Sequence, residues 1–139
     1  MKKQNFKIPP IELEWSKWFS WQILEIDARK KDGVRIPNRK PGVYEVKKRT
    51  ARKFLVLGKS KDLRKAIKEC IIRGRGKDER PHSARSDIKK NNENFINIVI
   101  RWAETARPDA AAEELLKIHI EQHGSLPKYY KRNWVKDQK

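Results

Sequence analysis

The sequence predicts an α+β fold, a small mixed or antiparallel sheet of three strands flanked by helices, with an extra aromatic helix in front. Two short β-rich runs lie mid-chain on either side of a basic turn. A third run, Phe95-Ile96-Asn97-Ile98-Val99-Ile100-Arg101-Trp102, follows later; β-branched and aromatic residues suit a pleated, half-buried surface. Helical periodicity fills the stretches before, between and after these runs. The order is therefore helix, strand, strand, helix, strand, helix, and 139 residues are enough for one domain.

Residues 1–10 read as a basic, loosely held arm ending at Pro9-Pro10. A helix is expected over 11–29, where Trp15, Trp18, Phe19 and Gln22 recur at i, i+3, i+4 and i+7 and Trp21 and Ile23 widen the apolar surface. Residues 30–41 form a basic connection punctuated by Gly33, Pro37 and Pro41. Strands are expected over 42–48 and 53–57, joined as a hairpin by Arg49-Thr50-Ala51-Arg52, with Gly58 breaking the second. A helix over 61–73 has Leu63, Ala66, Ile67, Cys70 and Ile71 as its inner face, and Gly74 and Gly76 stop it. A polar loop over 77–86 and a short helix over 86–90 lead to the third strand, expected over 95–102. Pro108-Asp109 opens a last helix that ends at His123-Gly124, and a basic tail with Tyr129, Tyr130 and Trp134 follows.

The formal net charge is +17, from 35 Lys and Arg against 18 Asp and Glu. Self-repulsion of that size opposes folding, and a polyanionic partner offsets it. Nucleic acid is the first expectation: DNA, with RNA not excluded. An acidic protein is a weaker alternative, separable by salt dependence. No run of about 18 apolar residues is present to span a bilayer, so no membrane role is expected. Cys70 is the only cysteine, which rules out an internal disulfide and a Cys-rich zinc site. Together with an N-terminus lacking the apolar stretch of a signal peptide, this gives a cytoplasmic expectation.

Four pieces of the chain, taken in order, resemble the GIY-YIG endonucleases. They are Pro41-Gly42-Val43-Tyr44, Leu57-Gly58-Lys59-Ser60-Lys61-Asp62-Leu63-Arg64, Arg101-Trp102-Ala103 leading to Glu113-Glu114-Leu115-Leu116, and His123-Gly124-Ser125-Leu126-Pro127. The resemblance implies a GIY-YIG-like nuclease domain over 36–139 with a basic tail, and leaves 1–35 as an arm and helix packed on it. It also implies phosphodiester hydrolysis with one divalent cation, Mg²⁺ or Mn²⁺, held by carboxylate oxygen and activating water. Carried over residue by residue, Tyr44 is the tyrosine that orients or deprotonates water. Glu113, from Glu113-x-x-Leu116, is the metal ligand, while Glu114 falls on the polar face. Asn133 is the candidate for the asparagine after the Leu-Pro turn.

The chain departs from the family pattern at three positions. The second tripeptide's tyrosine is Val56, the family arginine position is Ala66, and a histidine often found one turn later is Cys70. Arg64 lies about 160° from Ala66 around a regular helix and does not replace it. Loss of a phosphate-clamping arginine costs orders of magnitude in rate. Two explanations stay open: a natural member that binds without cutting, or an arginine replaced by alanine. The function expected first is a metal-dependent DNA endonuclease, inactive where alanine has replaced the arginine; the alternative, for a natural member of this kind, is a non-catalytic nucleic-acid-binding module.

His82, in a loop with Arg80 and Arg85, reads either as a phosphate contact or assisting base, or as a solvated polar residue. Lys59, Lys61, Arg64, Lys65, Arg73 and Arg75 read as a phosphate-tracking stripe along the first core helix, which Lys128, Lys131, Arg132 and Lys136 extend, with Asn133, placed by the resemblance, among them. The bland reading of these cations is a solvated face. His119 and His123 have an i, i+4 spacing seen in metal pairs, but core packing is the preferred role for His119. The tryptophans of the first helix are read as core rather than as a stacking platform.

Overall fold

The computed structural model describes residues 10–30, 35–73, 88–89 and 95–129. The expected stop at Gly74 and Gly76, the loop 77–86 and the tail beyond 129 lie outside them, as do Arg75, His82, Arg132 and Asn133. Of the expected helix over 86–90 only Ile88 and Lys89 are described; both are helical and Ile88 is buried.

The fold is α+β. Among the described residues a four-stranded antiparallel sheet runs in the order β1-β4-β2-β3, one strand more than expected. The strands are β1 (Phe19–Ser20), β2 (Gly42–Lys48), β3 (Val56–Ser60) and β4 (Ile98–Glu104). Among the described residues they are accompanied by the helices α1 (Trp21–Arg29), α2 (Lys65–Ile72) and α3 (Pro108–His123). The bounds of β2 and α3 match the expectation, and Gly124 closes α3 in a left-handed conformation with φ 74°.

The added strand comes from the stretch expected to be one long helix. Ser20 is extended, and its hydroxyl accepts the Ile23 N–H at 3.2 Å. That N-cap starts α1 at Trp21 rather than at residue 11. Upstream, half-buried Ile11, Leu13 and Trp15 alternate with exposed Glu12 and Glu14, the period-two pattern of extended chain. Ser16 is bonded to β4 twice: its N–H donates to the Trp102 carbonyl at 2.8 Å, and its hydroxyl accepts from the Trp102 N–H at 3.1 Å. Trp15 and Trp18 therefore precede the helix instead of lying on its face, and Phe19 belongs to the sheet.

β3 is also displaced from the expected 53–57, and Gly58 sits inside it opposite Tyr44. A Cβ at position 58 would lie 2.6 Å from Tyr44 Cε2 and nearer still to Cζ and the hydroxyl. The glycine makes room for the tyrosine ring instead of ending the strand. A 3-10 turn, Phe95–Asn97, takes the start of the third expected strand, and β4 continues to Glu104.

Pleating divides the sheet into two covered faces. On one, Tyr44, Val46, Val56, Ile98, Ile100 and Trp102 share a core with Trp21 and Leu24 of α1 and with Leu63, Ala66, Ile67, Ile71 and Ile72 of the α2 segment. On the other, Val43, Leu57 and Ala103 meet Ala111 and Ala112 of α3, with Ile11, Leu13, Trp15, Leu115 and Leu116 at its margin. The expected inner face of α2 is buried throughout. Its backbone is π-helical, as in the Arg73 N–H bond to the Lys68 carbonyl at 3.0 Å, and Cys70, Ile71 and Ile72 are buried in succession. Each such aliphatic side chain contributes about 1.5–3 kcal/mol. Asp62 leads the chain into this segment, its carboxylate accepting the Lys65 N–H at 3.3 Å and the Arg39 N–H at 3.0 Å.

Candidate nucleic-acid interface

The alternation of β2 sends Tyr44 to the α1/α2 face, where it is 2% exposed. Val56 and Ala66 join the same core, Ala66 at 5% exposure. Glu113 is elsewhere. Ala111, Ala112, Leu115 and Leu116 turn α3 toward the opposite face of the sheet, which leaves Glu113 exposed on the outer side of the helix. The sheet separates Tyr44 and Ala66 from the element that carries Glu113. Ile120, further along α3, is 44% exposed. Among the described residues no group of three or more His, Cys, Asp or Glu is placed to hold a metal ion. A cation on the Glu113 carboxylate would complete its coordination with water and substrate oxygens.

The cations expected to form one stripe do different things. Lys59 pairs with Asp109 at the start of α3 at 2.8 Å. Arg64 donates from Nε to the Ile36 carbonyl at 2.8 Å, tying α2 to the preceding connection. Arg73 pairs with Glu69 one turn back at 3.6 Å. Lys61 and Lys65 are exposed. Lys128 is exposed beside the hairpin, where its N–H bonds to the Phe54 carbonyl at 3.0 Å.

His119 is 2% exposed and joins three segments. Its Nε2 accepts the Phe54 N–H at 3.2 Å, and its Nδ1 donates to the Ser125 carbonyl at 2.7 Å. Those roles define a neutral ring. Burial holds its pKa below the ordinary imidazole value; the bond to Ser125 opposes this, and the nearby charges of His123 and Lys53 add to it. The His119–His123 spacing thus serves packing, with ring centroids 4.5 Å apart.

Two arrangements escaped the sequence reading. Arg101 lies 4.2 Å from the ring centre of Trp15 and 4.5 Å from that of Trp18. The same guanidinium bonds Glu45 at 2.6 Å. Glu45 is 2% exposed; burial raises its carboxyl pKa and Arg101 draws it back. The register Glu45↔Arg101 makes the pair. Its only sequence signal is one acid and one base at like-facing positions of two strands.

The second arrangement is at the hairpin. Lys48, Arg49, Arg52 and Lys53 are exposed, and Lys47, half-buried, lies 4.7 Å over the Trp18 ring. The turn is anchored by the Arg49 N–H bond to the Asn97 carbonyl at 2.7 Å and by the Leu55 N–H bond to the Val46 carbonyl at 2.8 Å.

Compared with known proteins, the chain matches no family model, no curated protein and no solved structure. Among the described residues no helix is long and apolar enough to cross a membrane.

Proposed function

We propose that this protein binds nucleic acid on a degenerate GIY-YIG architecture whose cleavage chemistry is lost at Val56 and Ala66. The charge of +17 carries the reading, because counterion release on phosphate contact is the interaction such a surface favours most. The inert character rests on four observations: a tyrosine sealed in the core, a valine in place of the second hydroxyl, a buried alanine at the arginine position, and a glutamate facing away from all three. Nothing in that set presents an acid, a base and a phosphate clamp to one point in solvent.

A second reading, the Mg²⁺- or Mn²⁺-dependent DNA endonuclease, is favoured by one observation. The two tripeptide-like segments lie side by side on β2 and β3, with Gly42↔Ser60, Tyr44↔Gly58 and Val46↔Val56 in register. Cleavage of supercoiled plasmid with either cation separates the readings, comparing the parent chain with Ala66→Arg and Ala66→Arg/Glu113→Ala. Binding without nicking by all three supports the binding module. Nicking restored by arginine and abolished by Glu113→Ala supports the disabled nuclease.

A further inference from the structure

The half-buried aromatic rings of the described residues have different neighbours. Phe19 lies face to face with Trp102 at 5.0 Å and Phe95 with Trp21 at 4.2 Å, both packed on the core under α1 and α2. Trp15 packs at the margin of the core under α3. Trp18 belongs to neither core. Around its ring are two cations, Lys47 at 4.7 Å and Arg101 at 4.5 Å, and the Phe54 ring, tilted by 55° at 6.1 Å. A half-buried indole bordered by positive charge is the composition of a platform for unpaired bases.

We infer that Trp18 and Lys47 receive single-stranded nucleic acid, one base stacking on the indole and a flanking phosphate passing to the lysine. This rests on the nucleic-acid-binding reading and names the form of its ligand. The two cations play different parts. Arg101 is fixed, its Nε bonded to buried Glu45 at 2.6 Å and its guanidinium 4.2 Å from the Trp15 ring centre, so it backs the indole. Lys47 reaches Trp18 on a flexible four-carbon stem. A cation–π contact at a wet site is worth about 2- to 5-fold in an equilibrium constant. A stacked base is worth about 5- to 150-fold. The base therefore displaces the ammonium from the ring, and the stem carries the charge to the neighbouring phosphate. Half-buried Phe54 and, just before it, exposed Lys53 continue the surface on the hairpin side.

The indole decides between occupants. Bases of a duplex are stacked on both faces and reach a protein ring only after unstacking. An acidic protein surface has use for Lys47 and Lys53 but supplies no base to Trp18.

The test measures binding of a single strand of about 12 nucleotides, as DNA and as RNA, beside an abasic DNA strand of equal length and a DNA duplex. The abasic strand keeps the phosphates and removes the stacking partner. The parent is compared with Trp18→Leu, Trp18→Phe and Lys47→Gln, and circular dichroism with melting temperature verifies that each folds. The parent should bind at least one base-bearing strand, and the abasic strand at least about fivefold more weakly. Trp18→Leu should lose about 5- to 150-fold on the base-bearing strand and nothing on the abasic one. Trp18→Phe, which keeps a ring, should lose less. Lys47→Gln should lower the slope of log K against log salt by about 0.7, the value for one phosphate of a single strand.

Equal binding of base-bearing and abasic strands by the parent overturns the stacking site and leaves the functional reading standing; this comparison needs no variant. A Trp18→Leu loss that is the same on both strands, a Lys47→Gln protein with the full slope, or a parent that prefers the duplex overturns the site equally. A parent that binds none of the probes overturns the functional reading and the site with it.

Discussion

Gly58→Ala places a methyl group in space that the Tyr44 ring occupies. The new Cβ would stand 2.6 Å from Cε2, against the 3.4 Å at which ordinary contact begins, and it would meet Cζ and the hydroxyl more closely still. The ring must withdraw by about 1 Å or more, and at 2% exposure it has no outward path. Overpacking of this kind costs about 1–3 kcal/mol, and the enclosed ring argues for the upper end. A smaller opposing gain, about 0.4–1 kcal/mol, comes from the reduced freedom of the unfolded chain. The net expectation is a loss of about 2 kcal/mol, or about 4–8 °C in melting temperature for a domain of this size. Thermal and urea unfolding measure it. In a Tyr44→Ala background the same alanine should cost under about 0.5 kcal/mol, since the pair no longer interacts. A Gly58→Ala protein melting within about 1 °C of the parent would refute the packing argument and the explanation of the glycine.

Further outcomes follow from the caps, the buried pair and the imidazole. Arg101→Met leaves Glu45 buried without its partner and should cost about 3 kcal/mol in urea unfolding, while Glu45→Leu/Arg101→Met should recover most of the loss. Ser20→Ala removes the N-cap of α1 and should cost about 1 kcal/mol. His119 has a folded pKa below its ordinary value of 6.5. Its contribution is therefore intact above about 6.5 and is lost as pH falls toward the folded pKa, because the unfolded chain takes up the proton first. His119→Gln should flatten the fall in urea midpoint between about pH 7.5 and about pH 5.5. Glu45 acts in the opposite sense: its raised pKa makes stability decline as pH rises above 4.5. A His119→Gln protein whose midpoint falls through that window as steeply as the parent's would contradict the neutral assignment of His119.

Elements with strong local determinants were legible in the sequence. α3 has Pro108 at its start and Gly124 past its end, and β2 carries Val43, Tyr44 and Val46 directly after Pro41-Gly42. α2 was legible as an inner face, though not as a π-helix, because the hydrophobic pattern does not report the hydrogen-bond register. Residues 11–20 misled because their aromatic spacing satisfies a helical period while Ile11, Leu13 and Trp15 satisfy an extended one. Pairing with β4, a long-range event, decides between the two. Gly58 misled for a similar reason: its need for space arises from Tyr44 on the neighbouring strand. The candidate site was legible only as residue types. Whether Arg64 faces a ligand or the Ile36 carbonyl, and whether Glu113 faces Tyr44 or away from it, depends on which sheet face each helix covers.

The bonds between Ser16 and Trp102 join positions 86 residues apart. On a ribosome adding about 5–20 residues per second, the partner strand arrives about 4–17 s after Ser16 is made. During that interval the β2–β3 hairpin has its local contacts available. Trp15, Trp18 and the apolar side of α1 have no β4 to rest on. A nascent chain of this protein therefore carries its most aromatic stretch uncovered for seconds, a substrate for chaperones that a refolding full-length chain does not present in the same way. Placing these residues after α3 by circular permutation would shorten that exposure without altering a contact in the finished sheet.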